Sequence, residues 1–381
     1  MKILYIIHTT RMDGSTISFK NLIEGIVKTD IQPIIVYPTQ QYGELITSFE
    51  TMGIQCFTCP ICRSKKSNNI NSKNKISFIE LIKQKIKSFI KLYKIVKETK
   101  PDIIHTNTGV VHEGFLVAKM CNIPHVWHIR EYQTLDFNWS IWPNKQLFIK
   151  ELAQSYTVFI TKGLQKYFAH NDTLSTVIYD PIYDSEEIRS GSIEKQKYFL
   201  IANRISNEKG IEDIIAGFAH FSKYDNTYSL KIAGFGDEAY INEIKTLCYN
   251  LNLSNRIEFL GYVTDVQNLI RYAEVLFVGS HFEGFGRMTA EANMLGTFVI
   301  GRNTGGTKEI IELTHGGSLF DNINEIPLLL NNYINKKNDV KWKILNTAQQ
   351  IALNLFSKTK HCEQIVDLYR DVVSLSKRGS L

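Results

Sequence analysis

Short apolar runs alternate with longer segments of helical periodicity along most of the 381-residue chain. Residues 1–7 and 32–37 begin this alternation, and residues 198–202 and 275–278 continue it in the second half. Apolar runs of this length, rich in Ile and Val, are typical of strands that are buried on both faces of a parallel sheet. The pattern therefore predicts an α/β fold built from repeated βαβ units.

The length of the chain predicts two domains, because a single hydrophobic core rarely keeps growing beyond about 250–300 residues. The charged segment at residues 184–196, which contains Gly191, is the best candidate for the linker between them. We therefore place an N-terminal domain at residues 1–185 and a C-terminal domain at residues 186–356.

The composition is that of an ordinary soluble protein, with 44% hydrophobic and 22% charged residues. No apolar run approaches the ~20 residues that a membrane-spanning helix requires. The apolar start of the chain is too short for the core of a signal peptide. We therefore expect a cytoplasmic protein.

The net charge of +6 lies in the first half, where residues 1–185 hold 22 Lys and Arg against 15 Asp and Glu. Residues 63–100 alone contain 12 basic residues, and residues 63–75 predict a polar loop. Residues 77–98 then predict an amphipathic helix with an apolar stripe and many lysines. The stripe either packs on the sheet or rests on an anionic membrane surface. Nucleic acid is not expected, because no module that binds it is recognisable.

Cys56, Cys59 and Cys62 are close enough in sequence to suggest a metal site. Without a fourth Cys or His nearby, they make a poor zinc site, and buried, reduced thiols are the better interpretation. The chain also lacks an Asp-x-Asp pair that would hold a divalent ion. We therefore expect neither a metal nor a cofactor, and the role of the three cysteines stays open.

Residues 275–306 predict a strand, a loop, a helix and a second strand. Gly284 and Gly286 in the loop let backbone N–H groups turn toward a ligand, and the helix from Arg287 adds the positive end of its dipole. Glu283 lies at the carboxyl end of the strand, where open α/β sheets bind ligands. Its carboxylate can accept hydrogen bonds from sugar or ribose hydroxyls, whereas Glu291 is explained equally well as a residue that favours the helix dipole.

Arg204 and Lys209 lie in the loop that follows the predicted strand at residues 198–202. Either residue alone is explained as an ordinary surface charge. Together, before a helix and at the carboxyl end of a strand, they have the chemistry to bind a diphosphate without a metal ion.

Glycines also follow two other predicted strands, at Gly14 and Gly234. A glycine at this position lets the backbone approach a ligand closely, although an ordinary strand-to-helix turn explains it equally well. Ser15 or Thr16 is expected to cap the helix that follows Gly14.

Polar side chains end two strands of the first half, at His105 and at the segment with His128, Arg130 and Glu131. A lone histidine in a strand is usually structural. Polar groups at the ends of neighbouring strands instead favour a cleft. His128 is therefore a candidate to contact a ligand.

The segment from Ser280 through Glu283 and Glu291 to Gly296 and Gly305-Gly306 resembles the donor-binding signature of retaining glycosyltransferases with the GT-B fold, family 4. The loop with Arg204 and Lys209 is similar to the Arg-x4-Lys pair of this family. The resemblance covers nearly the whole chain and is strongest at residues 198–312.

This resemblance implies two Rossmann-like, doubly wound domains facing across a cleft, with a terminal helix at residues 357–377 that packs back on the first domain. It further implies a metal-independent hexosyltransferase that moves a sugar from a nucleoside-diphosphate sugar, with UDP as the default nucleotide. The acceptor would be a glycan or a lipid-linked glycan, in bacterial surface polysaccharide synthesis. The possible anionic membrane surface at residues 63–100 is consistent with such an acceptor.

The resemblance also assigns roles to residues. Glu291 would hold the ribose hydroxyls, Glu283 the sugar hydroxyls, and Arg204 with Lys209 the diphosphate. The backbone amides of the loop would complete the phosphate contacts, from Gly284, Phe285, Gly286 and Arg287. His128 would face the donor sugar, and Tyr262 is a candidate for stacking on the base. Front-face attack is favoured over double displacement through a carboxylate.

The chain departs from the family pattern at Asp13-Gly14, where a glycine pair is usual, and at Arg287, where a hydrophobic residue is usual. Two other functions are compatible with the sequence: a nucleotide-sugar epimerase on the same fold, and a non-catalytic, membrane-associated assembly partner. The presence of Arg204, Lys209 and both glutamates argues against the second.

Overall fold

The computed structural model describes residues 1–63, 65–67, 78–141, 143–168, 174–188 and 194–377. These residues form two compact units: unit 1, which is residues 1–181 together with the C-terminal segment from Lys358, and unit 2, which is residues 182–357. Most of the predicted loop at residues 63–75, and residues 189–193 of the predicted linker, lie outside the described residues.

Unit 1 contains a parallel sheet with the strand order β3-β2-β1-β5-β6-β8-β9. A short antiparallel ribbon, β4 with β7, is separate from it. The strands are β1 (Lys2–Ile6), β2 (Gln32–Pro38), β3 (Gln55–Cys59), β4 (Lys65–Ser67), β5 (Ile103–Thr106), β6 (His125–Ile129), β7 (Trp139–Ile141), β8 (Tyr156–Phe159) and β9 (Ser175–Val177).

Helices cover both faces of this sheet, because its strands are apolar on both sides. Ile3 and Tyr5 of β1 face one core, and Leu4 and Ile6 face the other. Helices α1, α2 and α15 line the first core, and α3 and α4 line the second. The helices of unit 1 are α1 (Gly14–Ile26), α2 (Glu44–Thr51), α3 (Phe78–Thr99), α4 (Glu113–Cys121), α5 (Thr134–Phe137), α6 (Lys145–Leu152), α7 (Lys162–Tyr167) and α15 (Lys358–Lys377).

Unit 2 repeats this architecture, with a parallel sheet in the order β12-β11-β10-β13-β14-β15. Its strands are β10 (Gln196–Ala202), β11 (Ser229–Ala233), β12 (Ile257–Gly261), β13 (Ala273–Val278), β14 (Phe298–Arg302) and β15 (Gly317–Phe320). Residues of α8, α9 and α13 bury one face and residues of α10, α11 and α12 the other. The helices are α8 (Ile211–Phe221), α9 (Glu238–Asn250), α10 (Val266–Tyr272), α11 (Arg287–Met294), α12 (Gly305–Thr314), α13 (Ile326–Ile334) and α14 (Asn338–Phe356).

The predicted α/β class is therefore confirmed, with two doubly wound units. The sequence analysis placed the first boundary at residue 185, whereas unit 1 ends at Pro181. The boundary comes earlier because Ile182 already pairs with unit 2, where its N–H donates to the carbonyl oxygen of Phe356 at 2.8 Å. Throughout the described ranges, every helix is too short or too polar to cross a membrane.

Helix α3 does not bury its whole apolar stripe. Of the predicted stripe, Val96 is buried in unit 1, and Phe89 and Tyr93 are partly buried there. Leu92 and Ile95, which were not part of the predicted stripe, are buried beside them. The rest of the stripe is exposed, and its isoleucines follow at helical spacing: Ile79, Ile82, Ile86 and Ile90. The interpretation that the predicted stripe packs on the sheet is therefore wrong for these isoleucines.

Helix α15 covers a buried cluster of histidines in unit 1. The ring of His128 lies 5.4 Å from that of His105 and 6.0 Å from that of His361, which α15 contributes. His361 Nδ1 donates to the carbonyl oxygen of Tyr179 at 2.8 Å, and His105 Nδ1 lies 2.5 Å from the Tyr369 hydroxyl. Burial lowers the pKa of His361 to about 4. It also lowers the pKa values of His105 and His128 well below 6.5.

The lowered pKa of His361 makes unit 1 sensitive to acid. Between pH ~6.5 and ~4 the unfolded chain takes up a proton at His361 and the folded chain does not, so stability is present at higher pH and is lost as the pH falls. We expect His361→Gln to reduce the slope of this loss by up to about 1.4 kcal/mol per pH unit. The change in the free energy of unfolding between about pH 7 and about pH 5 is measured by hydrogen exchange of the α15 amides at increasing urea concentrations.

Burial raises the pKa of Glu131 to about 7 and that of Asp136 to about 6, and both shifts act in the opposite direction. Glu131 and Asp136 are present in both the parent protein and His361→Gln, so their contributions to the pH dependence of stability cancel when the two slopes are compared. The matched control is His220→Gln, an exposed histidine on α8, which should leave the slope unchanged. Equal slopes for His361→Gln and the parent protein would show that His361 does not contribute.

Candidate active site

Loops that follow neighbouring strands of unit 2 meet at the carboxyl edge of its sheet. The loop after β10 ends at Gly210, and the loop after β13 begins at Gly279. A Cβ added to Gly210 would lie 2.2 Å from the carbonyl oxygen of Gly279, so a larger residue cannot fit at this contact. Gly210 also has a φ of 58°, which favours glycine. The close approach brings side chains together that are distant in the sequence.

Lys209 and Glu283 form an ion pair beside this contact. Nζ of Lys209 lies 2.8 Å from Oε1 of Glu283, and the hydroxyl of Ser280 donates to the same oxygen at 2.7 Å. The two charged side chains are only 24% and 14% exposed. The structure thus joins a cation and a carboxylate that the sequence analysis assigned to phosphate and to sugar hydroxyls. If a bound phosphate paired with Lys209 in place of Glu283, the carboxylate of Glu283 could accept hydrogen bonds from hydroxyl groups.

Arg204 lies on the same loop, and its guanidinium pairs with Glu208. The two side chains are 58% and 50% exposed, and an exposed pair of this kind contributes little to stability. Arg204 can therefore leave Glu208 and pair with a phosphate at a small cost in free energy. Glu208 was not predicted as a site residue; its signal in the sequence was an acidic residue four positions after Arg204 in the same loop.

The loop from Glu283 to Gly286 packs against the glycine pair that begins α12. The N–H of Gly306 donates to the carbonyl oxygen of Glu283 at 2.9 Å. A Cβ on Gly306 would lie 1.8 Å from the carbonyl oxygen of Phe285. These glycines therefore fit the two loops together, a role that the sequence analysis did not foresee. Gly286 precedes the first turn of α11, so the positive end of this helix points toward the loop.

The side chain of Phe285 belongs to the core of unit 2. It is buried, and its ring packs edge-to-face on that of Phe356 with the centroids 5.6 Å apart. The donor contact of Phe285 stays a prediction, and the buried side chain leaves only its backbone for such a contact. Gly284, beside it, is only half-buried.

Glu291 is buried in the second turn of α11 and is held by Arg287. The Nε of Arg287 donates to Oε1 of Glu291 at 2.8 Å. Tyr183 also lies beside this carboxylate, and burial, together with the charge of Glu291, raises the pKa of its hydroxyl. Arg287, whose role the sequence left open between a phosphate contact and a turn, is therefore placed to orient Glu291.

Exposed aromatic rings stand at the ends of β11 and β12. Tyr262 is 73% exposed and Phe235 62%, and their ring centroids are 6.4 Å apart. Gly234 has a φ of 146°, and a Cβ on it would lie 1.8 Å from the carbonyl oxygen of Asn203, so glycine is required by the neighbouring loop. Tyr262 was predicted from the sequence as a candidate for base stacking, whereas Phe235 was not. The sequence signal for Phe235 was its position as an aromatic residue between Gly234 and Gly236.

The structure places the side chain of His128 in the interior of unit 1. The residue is completely buried, and neither ring nitrogen has a hydrogen-bond partner among the described residues. Its ring faces the histidines beneath α15 described above. This placement does not support the predicted contact of His128 with a donor sugar, which stays a prediction.

Asp13 is the N-cap of α1, not Ser15 or Thr16 as predicted. Its Oδ1 accepts hydrogen bonds from the N–H of Ser15 at 3.0 Å and of Thr16 at 3.1 Å. Gly14 begins the helix at the carboxyl end of β1, with open space around the position of a Cβ. Its predicted approach to a donor is not tested by this geometry.

Metal-ligating side chains are not clustered in the described part of the chain, where no group of three or more is arranged to hold an ion. Cys59 and Cys62 are buried and Cys56 is partly buried. Burial raises the pKa of the Cys59 thiol to about 11, which keeps it protonated. A metal-independent reaction stays a prediction.

Comparison with known proteins extends these observations. Over 92% of its length, this chain is 23% identical to the UDP-Gal:α-D-GlcNAc-diphosphoundecaprenol α-1,3-galactosyltransferase of Escherichia coli, of which it covers 95%. Crystal structures of HepE from Anabaena have the same fold. The complex with UDP has a TM-score of 0.78 at 19% identity, and covers 97% of this chain and 100% of HepE. The complex with UDP-glucose has a TM-score of 0.74 at 20% identity, with the same coverage.

The family model "Glycosyl transferases group 1" matches residues 184–336, which include the loops of the candidate site in unit 2. This match agrees with the predicted resemblance to glycosyltransferases, whereas family 4 and retention stay predictions. Residues 184–336 thus match the glycosyl transferases group 1 family, and the chain has the GT-B fold.

Proposed function

We propose that this protein is a retaining, family 4 hexosyltransferase that moves a sugar from a UDP-sugar to a glycan or lipid-linked acceptor, in bacterial surface polysaccharide synthesis. The observation that carries the proposal is the Lys209–Glu283 ion pair at the carboxyl edge of unit 2. It places a cation for phosphate directly beside a carboxylate for hydroxyl groups. The names of the relatives support the substrates, since one uses UDP-Gal and a diphosphoundecaprenol acceptor and HepE binds UDP-glucose.

In the proposed reaction, Lys209 and Arg204 stabilise the leaving diphosphate. The bond between the anomeric carbon and the phosphate oxygen breaks, and negative charge accumulates on UDP. Positive groups that are already in position stabilise this charge without reorganisation. Their contribution is the same chemistry that a divalent ion supplies in other transferases, so the reaction proceeds without a metal.

Glu283 and Glu291 bind hydroxyl groups on either side of the diphosphate. When a phosphate draws Lys209 away, Glu283 keeps the hydrogen bond from Ser280 and accepts further ones from the sugar. Glu291, oriented by Arg287, accepts hydrogen bonds from the ribose. Tyr262 and Phe235 lie at the ends of the adjacent strands, where their exposed rings can stack on the base.

Retention follows from front-face attack. The acceptor oxygen bonds to the anomeric carbon on the side from which UDP leaves, and the proton of the acceptor hydroxyl passes to the departing phosphate oxygen. This route requires no carboxylate beneath the sugar, which suits a Glu283 that is engaged with Ser280 and Lys209. Double displacement would instead require a carboxylate placed close to the anomeric carbon.

The exposed isoleucines of α3 favour a membrane surface as a partner of unit 1. Ile79, Ile82, Ile86 and Ile90 form an exposed row, which we call the isoleucine stripe, and exposed lysines flank it: Lys83, Lys87, Lys91 and Lys94. Apolar side chains beside cations are the features of a helix that lies in an anionic lipid surface. A protein bound to such a surface through α3 would have access to a lipid-linked acceptor in the membrane.

Replacement of Lys209 tests the donor site. We expect Lys209→Ala to reduce turnover of the UDP-sugar by about 10²–10³-fold, because the leaving diphosphate loses a charge that stabilises it. The measurement is release of UDP from a panel of UDP-sugars, with and without acceptor glycans. The control is Lys20→Ala, which also breaks an ion pair, with Glu24, but on α1 of unit 1.

The same assay separates the alternatives. A transferase requires the acceptor for full turnover and forms a glycosylated product, whereas a nucleotide-sugar epimerase turns over without one. An assembly partner would show no turnover with any donor. Full activity of Lys209→Ala would exclude the role of this residue at the diphosphate.

Replacement in the isoleucine stripe tests the membrane surface. We expect Ile86→Asp to weaken binding to phosphatidylglycerol vesicles by about tenfold, because a charge replaces an exposed apolar side chain that would insert into the lipid surface. Sedimentation with vesicles across a salt series measures this, with phosphatidylcholine vesicles for comparison.

Leu328→Asp is the control, since Leu328 is an exposed apolar residue of α13 in unit 2. It should leave vesicle binding unchanged. If the parent protein fails to bind anionic vesicles at low salt, the stripe has no role at a membrane.

A further inference from the structure

Arg302 lies at the carboxyl end of β14, beside the two loops that carry the Lys209–Glu283 ion pair. Its Nε donates to the carbonyl oxygen of Gly279 at 2.9 Å, and its Nη2 pairs with the carboxylate of Asp213. The side chain of Arg302 is only 16% exposed. One guanidinium group therefore bonds to the start of the loop after β13 and to the first turn of α8, which follows the loop after β10.

The guanidinium of Arg302 lies next to the close contact between Gly210 and Gly279. A Cβ added to Gly210 would lie 2.2 Å from the carbonyl oxygen of Gly279 and 3.4 Å from Nη2 of Arg302. The arginine also lies over the ring of Phe320, 5.1 Å from its centroid. A planar guanidinium holds its N–H donors in a fixed geometry, so it can set the distance between two partners. Arg302 thus fixes the two loops relative to each other.

Two further hydrogen bonds tie the loop after β13 to its neighbours on both sides. The N–H of His281 donates to the carbonyl oxygen of Glu208 at 3.0 Å, in the loop after β10. The hydroxyl of Thr304 donates to the carbonyl oxygen of His281 at 3.1 Å, from the loop after β14. Glu283 follows two residues later, so the position of its carboxylate depends on how firmly Gly279 and His281 are held.

Arg256 makes bonds of the same kinds at the opposite edge of the sheet. Its Nε donates to the carbonyl oxygen of Tyr228 at 3.0 Å, and its Nη2 donates to that of Asp225 at 3.2 Å. Its guanidinium lies 5.7 Å from the centroid of the Phe218 ring. These contacts lie at the amino ends of β11 and β12, away from the loops of the candidate site. Arg256 therefore serves as a structural reference for Arg302.

We propose that Arg302 is a positioning residue of the donor site, which holds the loop of Glu283 at a fixed distance from the loop of Lys209. This inference rests on the proposed function and adds a residue that acts through these two side chains. In the proposed function, Lys209 binds the diphosphate and Glu283 the sugar. UDP lacks the sugar, so its affinity should depend much less on Arg302 than turnover of a UDP-sugar does.

The experiment measures kcat and KM for the donor that is turned over in the panel of UDP-sugars, and the affinity for UDP by isothermal titration calorimetry. We expect Arg302→Ala to lower kcat by about 10²-fold, because Glu283 is displaced from the sugar, and to weaken UDP binding by no more than about threefold. Arg302→Lys should recover thermal stability, since an ammonium group can still pair with Asp213, but kcat should stay low.

Two further variants separate positioning from a loss of stability. Asp213→Asn removes the charge that orients Arg302, so it should lower kcat in the same direction but to a smaller extent. Added to Arg302→Ala, it should cause no further loss, because the two residues act as one unit. Arg256→Ala is the matched control. It should lower the midpoint of thermal unfolding by as much as Arg302→Ala does, but leave kcat and the UDP affinity of the folded protein unchanged.

Full kcat in Arg302→Ala would overturn the inference. So would equal losses of kcat and of the fraction of protein that binds UDP, since these would report unfolding alone, or a comparable loss of kcat in Arg256→Ala. UDP-sugar turnover that depends on Lys209 would survive such a failure. A parent protein that turns over no UDP-sugar would instead overturn the proposed function and this inference together.

Discussion

The ion pair between Lys209 and Glu283 is the interaction on which the candidate site depends. It joins the loops after β10 and β13, which are 74 residues apart in the sequence. Removing two charges partly from water costs about as much as their attraction returns, so such a pair contributes little to stability. Its importance lies in position, because it holds a cation and a carboxylate side by side at the edge where ligands bind.

Close packing of backbones makes this arrangement possible. Gly210 against Gly279, and Gly306 against Phe285, leave no room for a Cβ, so the loops of neighbouring strands touch directly. Because the strands are parallel, these loops leave the sheet at one edge. Unit 1 places the buried carboxylate of Glu131 at the same edge of its own sheet, just beyond β6. The fold thus concentrates polar and exposed groups at the carboxyl ends of both sheets.

Much of this could be predicted from the sequence, because the relevant signals are local. Alternation of apolar runs and helical segments indicated the α/β class. The loops with Arg204, Lys209 and Glu283 then followed from the strand ends, and Glu291 from the start of the next helix. Each of these residues is within a few positions of the end of a strand or the start of a helix. The family resemblance rested on the same spacings, and residues 184–336 match the glycosyl transferases group 1 family.

The sequence by itself determined the periodicity, the strand ends and the types of residue placed there. Tertiary structure alone decided which side chains are covered, because the covering element is distant in the chain. His128 is buried beneath α15, Phe285 is packed on Phe356, and the isoleucine stripe of α3 is left in solvent. Periodicity shows that a helix or strand has an apolar face, but only the packing of distant elements determines whether that face meets a core, a ligand or water.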